Sequence, residues 1–190
     1  MINQKNKLFE RWKEVGLGEI CEIKKGISIT KNKITDGNVP VIAGGQQLAY
    51  YHNKSNRQGE TITISGSGAY AGFVNYFKIP IFASDCSTIQ TKSKNVFMKY
   101  INFFLKCNQK QIYKLQKGIA QPHVYPKDLV KIKIPLPFLS DGTPDLKEQE
   151  RIVSILEKAE KLKERGKKAE DLLDEYLKSV FNEMFYDKGF

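Results

Sequence analysis

Through the last quarter of the chain, apolar and small residues recur with a heptad step. Ile152, Ile155, Ala159, Leu162, Gly166, Ala169, Leu173, Tyr176 and Val180 lie 3, 4, 3, 4, 3, 4, 3 and 4 residues apart. That repeat keeps one seam on one side of an α-helix. Leu156, Leu177 and Met184 widen the seam, and no proline follows Pro144. At about 1.5 Å per residue, roughly 40 helical residues make a rod of about 60 Å. The residues before it are too few to cover such a rod, so the seam predicts a partner helix. Gly166 costs a helix roughly 1 kcal/mol relative to alanine. The heptad phase nevertheless runs through it unbroken, which predicts one continuous helix with the glycine as a point of close approach.

Charge divides the chain at the same place. The net charge is +10, with +11 in residues 1–145 and −1 in the remainder. A charge-balanced rod suits a protein partner, whereas a strongly basic front domain suits nucleic acid. The expected organisation is a front domain over 1–143 and a long helix over 144–190, opened by Pro144 and Asp145 with Glu148 and Glu150 near its positive end. The 41% hydrophobic content is enough for a core. No apolar run approaches membrane-spanning length and no basic-then-apolar leader is present, so the expectation is a soluble cytoplasmic protein. Cys21, Cys86 and Cys107 are odd in number, far apart and without zinc spacing; they read as reduced thiols, with no metal expected.

Met1 to Phe9 is polar, with Phe9 and Trp12 as the first anchors. Strand-like stretches follow at Trp12–Ile23 and at Val39–Ile42, the latter stopped by Gly44-Gly45, while Ile27 to Asp36 alternates apolar with polar residues. Gln46 to Gly59 has neither period and reads as an exposed loop. Glu60–Ile64 alternates as a half-buried strand, paired through a glycine-rich turn with Phe73–Phe77. Ile79–Ala83 and Thr88–Thr91 continue the sheet. Met98, Ile101, Phe104, Leu105, Ile112 and Leu115 fall at helical spacing, one or two amphipathic helices. Gly118–Pro126 breaks them, and Val130–Ile134 is a last strand, stopped by Pro135-Leu136-Pro137. The fold class is α/β (α+β), a mixed sheet with packed helices followed by the long coiled-coil helix.

Catalytic readings fail on chemistry. The glycines of Ser65–Gly72 precede a strand rather than a helix, and no Lys-Ser/Thr closes them, so they cannot cradle phosphate as a nucleotide loop does. Ser84 and Asp85 beside His52 or His123 lack a nucleophile elbow. No Asp/Glu-x-Lys nuclease pattern follows Pro144-Asp145, and no methyl-transfer loop of Asn/Asp-Pro-Pro-aromatic type occurs. No catalytic residue and no cofactor is expected.

Taken together, Trp12 with Leu17-Gly18-Glu19, Gly26, Pro40, Gly66–Gly72, Tyr100–Leu105, and Gly118 with Ala120-Gln121-Pro122-His123 form an ordered series. It ends in Leu129–Ile134, Pro135-Leu136-Pro137 and Glu148-Gln149-Glu150-Arg151-Ile152-Val153. Over nearly its full length the chain resembles the specificity subunit of Type I restriction-modification systems. The resemblance implies a target recognition domain up to about residue 140 that reads one half of a split DNA sequence, and a spacer helix after it. It further implies spacers paired antiparallel, methyltransferase subunits docked on them and, where the system cuts, a restriction endonuclease subunit. Family members usually carry two recognition domains and two spacers; this chain has one of each and no internal repeat. It is either a half-subunit that forms a homodimer (or pairs with a second half-subunit) or one half of a longer protein. The nine seam residues would then be the partner contact.

Base-reading residues do not transfer within such a family, so composition must nominate them. Ser28, Thr30, Lys31, Lys33, Gln46, Tyr50, Lys54, Arg57, Ser67, Tyr70, Lys117, Gln121 and His123 are the candidates for double-stranded DNA. Lysines suit phosphate, whereas Gln46, Gln121 and Arg57 suit base edges. The competing reading is a coiled-coil interaction protein whose basic domain binds RNA or an acidic protein.

Overall fold

The computed structural model describes residues 11–186; the expectations for Met1 to Phe9 fall outside them. The described elements run β1 (Trp12–Gly16), α1 (Leu17–Ile20), β2 (Cys21–Lys25), a 3-10 turn (Lys31–Lys33), β3 (Val39–Ile42), β4 (Leu48–His52) and β5 (Thr61–Ser65). Then come β6 (Val74–Phe77), β7 (Phe82–Ala83), β8 (Cys86–Thr91), α2 (Met98–Cys107), α3 (Gln109–Tyr113), α4 (Pro126–Leu129), β9 (Lys133–Pro137) and α5 (Leu146–Phe185). Two compact units divide between Glu150 and Arg151. Among the described residues, no helix is long and apolar enough to cross a membrane.

In the first unit the strands form three small sheets. The largest is antiparallel, in the order β2-β8-β5-β6. A second, β4-β3-β7, is mixed, with β3 antiparallel to β4 and parallel to β7. The third is the ribbon β1-β9. Ile62, Ile64, Ile89, Ile101, Leu105 and Leu136 are fully buried, so apolar side chains from the sheets and from α2 make up the core.

Three local expectations are corrected. Gln46 to Gly59 contains a strand, β4, although Leu48, Tyr50 and Tyr51 on it are exposed. An edge strand solvated on both faces has no reason to alternate, so its periodicity was invisible. The strand β5, between β8 and β6, is buried along its whole length, not half-buried; two of its hydroxyls find backbone acceptors, Thr61 Oγ1 donating to Gln58 O at 2.7 Å and Ser65 Oγ to Gly45 O at 3.2 Å. Finally, β9 runs through Pro135 and Pro137 instead of stopping at them. Phe138 N–H donates to Arg11 O and Leu17 N–H to Ile132 O, both at 2.8 Å. Hydrogen-bonded pairs therefore fall on even-numbered residues of β9, and both prolines occupy the positions that need no N–H.

The helix α5 begins at Leu146, one residue after Asp145, whose Oδ1 accepts the Glu148 N–H at 3.1 Å, a side-chain cap on an otherwise unpaired donor. It continues through Gly166 without a break to Phe185. Leu162, Leu173 and Tyr176 are 66%, 57% and 65% exposed in the single chain.

Candidate nucleic-acid interface

Two loops interlock on the first unit. One is the β5–β6 connection, Gly66 to Gly72; the other runs from Lys117 to Tyr125. Val124 N–H donates to Gly66 O and Gly68 N–H to Pro122 O, both at 3.0 Å. Within the second loop Lys117 and His123 exchange backbone hydrogen bonds of 2.9 and 2.8 Å. Ser67, Lys117 and His123 thereby become neighbours across a short three-stranded patch, with Tyr70 and Gln121 exposed on the same two loops.

The patch surrounds one carboxylate. Ser67 Oγ donates to Asp85 Oδ2, and a cleft of about 140 Å³ is lined by Lys25, Ser67, Asp85, His123 and Tyr125 among others. His123 stacks on Tyr125, with centroids 6.0 Å apart and planes 25° from parallel. Lys127 Nζ sits 5.7 Å from the centre of the Tyr125 ring, within range of a cation–π contact. Lys117 Nζ donates to Asp128 Oδ2 at 2.6 Å, and that bond holds the Asp128 carboxyl below its ordinary range. The arrangement offers cations, amides, hydroxyls and aromatic faces around a hydrogen-bond acceptor, a mixture suited to phosphate and base edges.

Other candidates lie on segments around this patch. The turn after β3 closes against it: a Cβ on Gly44 would sit 2.8 Å from Ser67 O, so only glycine allows that approach. Gln46 follows, exposed, its backbone oxygen accepting from Asn75 Nδ2 at 3.1 Å. Tyr50 on β4 and Lys54 just beyond it are also exposed. Ser28, Thr30, Lys31 and Lys33 occupy an exposed segment tied down by Ile27 N–H to Ala83 O (2.9 Å) and Ile29 N–H to Ser84 Oγ (3.2 Å).

Arg57 is placed differently. Its Nε donates to Thr88 Oγ1 at 2.7 Å, Nη1 to Asn56 O at 2.7 Å and Nη2 to Lys25 O at 3.0 Å. The guanidinium is engaged by protein acceptors and clamps the β2–β8 edge. Sequence reading weighed Asp85 only as a catalytic group and did not nominate it, Tyr125 or Lys127 for this patch. Tyr125 and Lys127 carried a local signal, an aromatic and a cation beside two prolines. Asp85 carried none, since its surroundings arise from long-range loop pairing. Among the described residues, no three His, Cys, Asp or Glu side chains group in a way that could hold a metal ion.

Comparison with known proteins agrees with this architecture. A family described as Type I restriction modification DNA specificity domain matches residues 10–170. The fold is similar to the crystal structure of a Type I restriction-modification S subunit from M. genitalium, with a TM-score of 0.66 and 24% identity, covering 90% of this chain and 46% of that one. It is also similar to a structure from work on complex assembly and conformational transition of the type I R-M system (TM-score 0.70, 19% identity, 90% and 43% covered). A third likeness is to the HsdS subunit from Thermoanaerobacter tengcongensis (TM-score 0.63, 19% identity, 84% and 40% covered). This chain spans less than half the length of each of these structures. No curated protein matches the sequence.

Proposed function

Since the chain belongs to the Type I restriction-modification DNA specificity family, we propose that it reads one half of a bipartite DNA target for a Type I methyltransferase complex in the cytoplasm. It supplies recognition and no chemistry of its own; methyl transfer, and cleavage where it occurs, belong to docked methyltransferase and restriction subunits. The observation that carries this reading is the family match over residues 10–170. The basic balance of residues 1–145 supports it, as do the interlocked loops carrying Ser67, Lys117, Gln121 and His123.

The seam on α5 supplies the second half of the reading. Two copies pair antiparallel along Ile152, Ile155, Ala159, Leu162, Gly166, Ala169, Leu173, Tyr176 and Val180, removing from water the apolar side chains that one copy leaves exposed. A two-fold pair of reading domains calls for a target whose halves are inverted repeats, separated by about one helical turn, ~34 Å. Ser28, Thr30, Lys31, Lys33, Gln46, Tyr50, Lys54 and Tyr70 extend the contact beyond the central patch, the lysines on phosphates.

Methylated positions in the source genome, mapped with and without this gene, test the proposal. A split inverted-repeat motif that loses methylation when the gene is deleted is the expected result. Unchanged methylation, together with equal binding of the protein to target duplex, random duplex and RNA in gel shifts, refutes it.

A further inference from the structure

Among the described residues, the most exposed large apolar side chain is Ile119, at 105% of its reference area. It stands in the five-residue connection Gly118-Ile119-Ala120-Gln121-Pro122, closed at its base by the backbone pair Lys117–His123. That connection is built to one shape. Gly118 has φ of +98°, and a Cβ there would meet Gln121 O at 2.7 Å, so the conformation demands glycine. Pro122 is anchored through its carbonyl to Gly68 N–H at 3.0 Å. An isoleucine held in water at the end of a fixed arm forgoes the usual gain of burial, and none of the described residues covers it.

The surroundings select the occupant. Lys117, at the base of the arm, is paired with Asp128, so the positive charge left beside that pair is Lys127, in a region that carries +11 over residues 1–145. Gln121 and the His123–Tyr125 stack lie on the same arm. A cationic, amide-bearing rim around an apolar tip fits a polyanion rather than a greasy protein surface. The base of the arm is a single backbone-paired couple, so the arm projects as a narrow loop; the major groove of B-DNA admits elements as wide as an α-helix, and the apolar group on a base edge there is the thymine 5-methyl. We propose that Ile119 is a specificity-determining residue that packs on the methyl group of one thymine in the target half-site. The inference rests on the DNA-reading function proposed above and assigns a chemical feature of the substrate to one side chain.

A cycle between protein and DNA variants tests it. The full chain with its methyltransferase subunits, as parent and as Ile119→Ala, is titrated with the target duplex found by methylation mapping. In further duplexes each thymine is replaced in turn by deoxyuridine, which lacks only the methyl. At one position the parent should lose about fourfold in affinity, the equivalent of roughly 0.8 kcal/mol for one methyl-sized group returned to water. Ile119→Ala should lose a similar factor on the unmodified target and nothing more on that deoxyuridine duplex, with random-sequence affinity and melting temperature unchanged. Deoxyuridine profiles that superimpose for the two proteins overturn the inference alone, as does an Ile119→Ala effect confined to methyltransferase association. A parent that does not prefer the mapped target to a scrambled duplex takes the proposed function down as well.

Discussion

Replacing Gln149 tests how the first unit is held together where α5 begins. The residue is completely buried. Its Oε1 accepts the Phe97 N–H at 2.9 Å, and its Nε2 donates to Asn95 O at 2.9 Å and Asp145 O at 3.1 Å. In Gln149→Ala the Phe97 N–H, just before the first turn of α2, is left without a partner, a loss of about 1–3 kcal/mol. The Asn95 carbonyl belongs to an exposed residue and regains water, so its loss adds about 1 kcal/mol. Asp145 O keeps the backbone donor Gln149 N at 3.2 Å, and that loss adds little. The expected destabilisation is about 2–4 kcal/mol, against roughly 5–15 kcal/mol for a whole domain. Gln149→Glu adds a pH signature. The protonated acid can accept from Phe97 and still donate to one carbonyl, whereas the carboxylate faces two carbonyl oxygens. Its folded pKa is therefore raised. Stability is close to parental below the unfolded value of about 4.3 and is lost as the pH rises above it. Urea unfolding followed by the single tryptophan, Trp12, reads both variants. A Gln149→Ala loss under about 0.5 kcal/mol, well below a buried orphan donor, or a Gln149→Glu penalty that does not grow between pH 4 and pH 7, refutes the reasoning.

Other perturbations separate structural from reading roles. Arg57→Ala removes three hydrogen bonds to protein acceptors and should lower stability by about 2–4 kcal/mol while leaving the methylated sequence unchanged; a changed motif at parental stability would contradict the clamp. Burial pushes the thiols of Cys21 and Cys86 up to about 12, and burial, helped by the Glu148 charge, does the same for the Tyr100 phenol. All three stay protonated in the fold and ionise in the unfolded chain, the thiols from about pH 8.5 and the phenol from about pH 10. Stability should be full below about pH 8.5 and fall as the pH climbs towards 12, read as a declining urea midpoint; a flat profile would falsify it. At pH 8 a thiol reagent should label exposed Cys107 and spare the other two until denaturant is added. On the helix, Leu162→Glu or Leu173→Glu places charge in the seam and should yield monomers by light scattering; variants that stay dimeric and still guide methylation would remove the antiparallel pairing.

Sequence patterns revealed elements whose environment repeats. The heptad in α5 was legible because its apolar residues repeat along one side of a helix, and the Thr61–Phe77 strand pair because threonine and isoleucine alternate along β5 and a glycine-rich turn joins the two strands. The strand β4 was not, because solvent on both faces of an edge leaves no alternation to detect. Nor was the course of β9, since Pro135 and Pro137 are compatible with a strand only in one hydrogen-bonding phase, and that phase is set by β1 more than a hundred residues earlier in the chain. Among the candidate contacts, Ser67, Lys117, Gln121 and His123 were nominated separately by composition, and the pairing of two distant loops brings them together. Arg57 shows the converse. A guanidinium in a polar, aromatic segment looks like a base reader, and only the positions of Thr88 and Lys25 reveal that it faces inward.

The ribbon formed by the chain's first and ninth strands has a genetic consequence. Because Trp12 lies opposite Pro137, the backbone enters and leaves the sheet-bearing part of the first unit at adjacent points. Domains with neighbouring ends tolerate transplantation between hosts. A cassette bounded by these two strands could be exchanged for a foreign one by two crossovers that leave the long helix untouched, and on the function proposed above it would bring a new address with it in a single recombination event.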